Sequence, residues 1–91
     1  MKSDELRRQL REAVKDGNVV YVQHALDQMD ERGFTLAEVG RLLVNGTHDP
    51  SYDAIVDGKW RYRIRGKTRD GKNIKAVVEI DDVVVVITII D

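Results

Sequence analysis

A chain of 91 residues has room for one domain and one core, so residues 1–91 are read as a single domain. Hydrophobic residues make up 42% and charged residues 34%, a balance that excludes a disordered chain. The absence of cysteine excludes disulfide staples and thiolate metal sites, and it fits a reducing cytoplasm.

The amino terminus is charged from Lys2 to Arg8 with no apolar centre, so no secretory signal is expected. Asp4 and Glu5 sit where a helix dipole favours negative charge, and Ser3 is the expected N-cap of a first helix. Leu6, Leu10, Ala13 and Val14 give that helix one apolar stripe. Gly17 is placed to end it in a left-handed conformation. Val19 to Val22 is short and β-branched, and reads as an extended segment or short strand. A second helix is predicted from Gln23 to Arg32, burying Ala25, Leu26 and Met29 and closed by Gly33. Thr35 and Glu38 form a capping box for a third helix with the stripe Leu36, Val39, Leu42 and Leu43. Asn45-Gly46 stops it. His48 to Ser51 reads as a loop, and Tyr52 to Val56 as an irregular edge strand.

After Gly58 the apolar period changes from 3.6 to 2. Trp60, Tyr62, Ile64 and Thr68 are expected on the core face, with Arg61, Arg63, Arg65 and Lys67 on the other. Asp70-Gly71 makes a hairpin turn. Ile74, Ala76, Val78 and Ile80 return on the core face, with Lys75 and Glu79 outward. Asp81-Asp82 turns into Val83 to Ile90, a strand apolar on both faces and therefore central, with Val85 expected to be buried. This run is far shorter than the roughly 20 residues of a membrane helix, so no membrane partner is expected. The sum is an α+β fold: two or three N-terminal helices packed on a C-terminal antiparallel β-meander.

Charge is segregated along the chain. From Lys59 to Lys75 there are eight basic residues and one acid, and elsewhere seven basic and fifteen acidic. A split of this kind suggests one face made for an anion. Alternate strand residues lie about 7 Å apart, near the spacing of successive phosphates on an extended nucleic-acid strand, and arginine holds phosphate bidentately. A solvated strand face or a blunted sheet edge would also be basic. His24, at the start of the second helix, is the candidate general acid–base, because imidazole titrates near neutrality; a backbone-bonded helix-start residue is the plainer alternative. Two histidines without cysteine predict no metal site. Tyr52 is the one aromatic expected to be exposed and able to stack a base.

The segments Leu10 to Gly17, Val19 to Leu26, Arg32-Gly33-Phe34 and Val39 to Gly46 resemble the helical half of MqsR-like toxins. They are also similar to a related small domain of unknown function with the hallmark His-Ala-x-x-Arg-Met, here His24-Ala25-Leu26-Asp27-Gln28-Met29, with Gln28 in the arginine position. Trp60 to Gly66, Asp70-Gly71 and the final apolar run resemble the sheet half. The resemblance implies a RelE-like fold and a metal-independent, cofactor-free ribonuclease of a type II toxin–antitoxin pair that cleaves single-stranded mRNA. Its implied partners are single-stranded RNA and an antitoxin protein. His24 and Arg61 would be catalytic, and Arg63, Arg65, Lys67, Lys75 and Tyr52 would hold the RNA. The alternative is a non-catalytic module whose basic strand binds nucleic acid or an acidic protein. Arg61, Ile74 and an apolar terminal strand occupy the places of the MqsR glutamine, tyrosine and late lysine.

Overall fold

A computed structural model describes all 91 residues. Three helices come first: α1 (Ser3–Asp16), α2 (Gln23–Arg32) and α3 (Leu36–Asn45), with β1 (Val19–Tyr21) between the first two. Then follow β2 (Thr47–His48), a single 3₁₀ turn (Pro50–Tyr52), β3 (Ala54–Val56), β4 (Lys59–Lys67), β5 (Asn73–Ile80) and β6 (Val84–Ile90). The strands form one sheet in the order β1-β6-β5-β4-β2, with β3 pairing with the start of β4. The chain is an α+β domain with its helices N-terminal and its long strands C-terminal.

The local signals act as the sequence implies. Gly17 and Gly33 close α1 and α2 at φ 72°, a conformation that costs a residue with a Cβ. Thr35 and Glu38 exchange both capping-box bonds at the start of α3. Ser3 is not an N-cap. Lys2 holds that position without a side-chain bond, and the Ser3 hydroxyl turns to His48.

The sheet is mixed. β4, β5 and β6 form the expected antiparallel meander, but β1 joins β6 in parallel, with Val20 opposite Val85. A parallel partner needs a long crossover; here the rest of the chain supplies it. β6 lies inside the sheet between β1 and β5, as its apolar run suggested.

Val84, Val86 and Ile89 of β6 are buried, whereas Val85 faces away from the helices and is only half-buried. The even-to-odd change in the buried positions follows from a bulge: Val78 pairs with Val86 but Val77 with Thr88, so Ile87 is the extra residue. The core joins Leu6, Leu10, Val39, Leu43, Tyr62, Ile64, Ile74, Val78 and Met29, among others, between helices and sheet. Leu26 and Leu36, expected in it, are exposed. Gln28 reaches past the end of β1, and its side-chain oxygen accepts the Ile89 N–H at 2.9 Å. It thereby closes a backbone donor on the β6 edge. No helix is long and apolar enough to cross a membrane.

Candidate nucleic-acid interface

The sheet face opposite the helices carries no second layer, and none of its residues is fully buried. Strand alternation puts Arg61, Arg63, Arg65 and Lys67 there. The β4–β5 register sets Lys75 directly across from Arg65 and Glu79 across from Arg61.

The row is not uniform. Arg61 Nε donates to Glu79 Oε2 at 2.9 Å, a cross-strand pair that already neutralises it. Arg65 Nε donates to Asp49 Oδ1 at 2.7 Å, and Arg63 Nε lies 3.8 Å from Asp49 Oδ2, too far for a hydrogen bond. Arg63 Nε is buried with no hydrogen-bond partner. The Tyr52 ring lies over the same guanidinium, 3.9 Å from centroid to carbon, while Tyr52 itself is 57% exposed. Lys67 and Lys75 form no ion pair within the protein. The cationic surplus therefore sits at the β4–β5 hairpin end of the face, with Tyr52 beside it.

The segment from β2 to β3 brings Asp49 and Tyr52 to this place. Thr47 and His48 pair with Arg65 and Ile64, and the Asp49 N–H donates to the Arg63 carbonyl at 2.9 Å. His48 then pins the segment from inside. Its Nε2 is 2.7 Å from Asp53 Oδ1 and its Nδ1 is 2.8 Å from the Ser3 hydroxyl. A carboxylate only accepts, so Nε2–H donates to Asp53; in the neutral ring Nδ1 accepts the Ser3 O–H. The ring also stands edge-on to Tyr62, whose phenol is held above its ordinary pKa by burial and by the Asp53 charge. This Ser3–His48–Asp53 chain is not legible in the sequence, because its members are 45 and 5 residues apart. It has the residue types of a nucleophilic triad. With the His48 side chain only 1% exposed, no substrate reaches the ring. The chain holds α1 against the loop that carries Asp49 and Tyr52.

His24 is exposed in the first turn of α2, and its side chain makes no hydrogen bond. It follows β1, and β6 and β5 separate β1 from β4. Three inter-strand steps amount to roughly 14 Å, so the fold does not bring His24 to Arg61. Of the candidate residues, it brings together Arg63, Arg65, Lys67, Lys75 and Tyr52. Trp60, expected in the core, is 50% exposed beyond the helices and stacks on the buried Tyr62 at 6.5 Å. No group of three or more His, Cys, Asp or Glu side chains is placed to hold a metal ion.

Sequence reasoning missed Asp49, Glu79 and His48. Glu79 had a signal: the hairpin turn at Asp70-Gly71 fixes a register that places it opposite Arg61. Asp49 and His48 had none, since a loop residue's partners depend on where the loop lands.

No curated protein matches the chain. The pattern of a family described as a domain of unknown function, DUF4258, matches residues 21–91, which takes in α2, α3, the basic strand and the whole meander but leaves out α1. Because that match spans well over half of its length, this chain belongs to the DUF4258 family.

Proposed function

We propose that the open sheet face binds single-stranded RNA, with Arg63, Arg65, Lys67 and Lys75 on the phosphates and Tyr52 as a stacking platform. The observation that carries this reading is the convergence of four basic side chains on an uncovered face, where only Asp49 is close enough to neutralise any of them. A flat sheet with basic residues and a flanking aromatic suits a single strand, whose bases have exposed π-faces. Arg61, held by Glu79, frames the site and contributes little to affinity. A protein acting on mRNA works in the cytoplasm, the compartment that fits a cysteine-free chain.

Salt dependence is the direct test. Each phosphate contact to a single strand contributes a slope of about 0.7 in log affinity against log salt. Replacing Arg63, Arg65, Lys67 and Lys75 together by glutamine should flatten that slope by up to roughly three units, read by fluorescence anisotropy of a labelled oligonucleotide. Arg61→Gln alone should change it little. An unchanged slope in the fourfold variant would reduce the row to a solvated strand face.

A second reading makes the domain a metal-independent ribonuclease toxin with an antitoxin partner, as the MqsR resemblance implies. It is favoured by one observation: His24 is exposed and unbonded, free to move a proton. The RNA would have to cross the sheet from the basic row to the β1 edge. A general base typically contributes 10²- to 10⁴-fold. His24→Gln should therefore slow single-turnover cleavage by at least about 100-fold without changing the salt slope of binding. Cleavage at the parental rate would eliminate His24, and a parent that binds RNA without cutting it would leave the binding module.

A further inference from the structure

On the helix side of the sheet, a groove of about 560 Å³ runs between the end of α1, β1 and α3. Val14 and Val19 form one wall, Leu36 and Val44 the other, and Gly40 keeps the α3 side low. Leu36 has no reason in the core to be apolar, since it stands 56% exposed at the rim.

Three polar side chains line the same groove: Tyr21, Arg41 and Asn45. None of them forms a side-chain hydrogen bond or ion pair within the protein. Arg41 is half-buried, and no carboxylate of the protein pairs with it. Burial raises the Tyr21 phenol above its ordinary pKa, which keeps it a neutral donor. An apolar concavity with a few convergent polar groups is the usual form of a small-molecule site, and the volume lies in the usual range of about 300–1,000 Å³. Ten residues line it, against roughly 20–30 a side in a standard protein interface. The size therefore fits a small ligand better than a docked chain.

We propose that this groove binds a small amphipathic monocarboxylate, its aliphatic part along Val14, Val19, Leu36 and Val44 and its carboxylate on the Arg41 guanidinium. A single cation matches a single negative charge, and arginine's planar fork matches a carboxylate bidentately. Tyr21 and Asn45 supply further donors. The apolar part of the groove lies on the opposite side of the sheet from the RNA face, whereas Arg41 and Asn45 also border a small cavity of about 70 Å³ that Lys67 lines. Its α1 wall lies outside the residues shared with the family.

The test is an NMR chemical-shift titration of the full chain with decanoate and, separately, with decanol. Decanoate should give saturable shifts confined to residues around the groove. Arg41→Gln should weaken decanoate about tenfold or more, the worth of a charge-assisted bond, and leave decanol unchanged. Gly40→Leu should abolish binding of both. No heavy atom lies within 4 Å of a Cβ at Gly40, and leucine is the better helix former, so this variant fills the groove without unfolding the chain. Absence of saturable shifts, or decanoate binding unaltered in either variant, would overturn the proposal. So would groove shifts that depend on protein concentration without decanoate, which would show a second copy of the chain covering it.

Discussion

Val86→Asp is expected to abolish cooperative thermal unfolding, whereas Val85→Asp, the same change one residue earlier, should leave a folded protein. Val86 has no exposed surface and packs in the row Tyr62, Val78, Val86 beneath the helices. A carboxylate there has no partner and loses its hydration, at a cost of at least about 4 kcal/mol. A domain of this length has only about 5–10 kcal/mol to lose. Val85 points to the open face, where an aspartate stays hydrated. It would lie opposite Glu79, and the like-charge pair together with the loss of a β-branched strand residue should cost about 1–2 kcal/mol. Circular dichroism melting should show no transition for Val86→Asp and a midpoint lowered by roughly 5–15 °C for Val85→Asp. Equal melting of the two variants would mean that the β6 register, and with it the uncovered face, is wrong.

Gly46→Ala should be the most damaging of the small glycine substitutions. Gly46 has φ −71°, which any residue adopts, so the reason is space and not backbone freedom. A Cβ would meet the Leu42 carbonyl oxygen at 2.5 Å, Ile64 Cγ2 at 2.6 Å and the Arg65 carbonyl oxygen at 3.0 Å. Two of these are backbone atoms, in α3 and β4, and neither moves without disturbing its element. Overpacking of this kind costs about 1–3 kcal/mol or more, a fall in melting temperature of roughly 5–20 °C. Gly66→Ala is the control. Its nearest neighbour is the end of a flexible side chain, Leu42 Cδ1 at 3.0 Å, and it should melt within a few degrees of the parent. Gly46→Ala melting no lower than Gly66→Ala would refute the close approach. The effect reaches the site, because Gly46 hands α3 over to β2, which holds His48 and leads directly into Asp49.

What the amino-acid sequence determined was whatever is decided within a few residues. The α2 bounds follow from its apolar spacing and Gly33, the start of α3 from the Thr35–Glu38 box, and the β4–β5 hairpin from Asp70-Gly71. The sides taken by Arg61 to Lys67 and by Lys75 follow from strand alternation, since a period of two leaves a strand no other choice once one face is apolar. The tertiary structure alone decided the pairings between distant segments. Val19 to Tyr21 cannot announce a parallel partner more than sixty residues later. The uniform Val83 to Ile90 run hides its own bulge, because valine and isoleucine are apolar on whichever side they fall, and so Val85 read as buried. Charge behaves the same way. The basic row reads as unopposed in one dimension, but Glu79 and Asp49 come to it through pairing and a loop, and leave the surplus at the hairpin end. His48 became a buried pin for the same reason: Ser3 and Asp53 meet it only after α1 and the strand edge have packed, and ion pairs and hydrogen bonds depend on distance in space, not on separation along the chain.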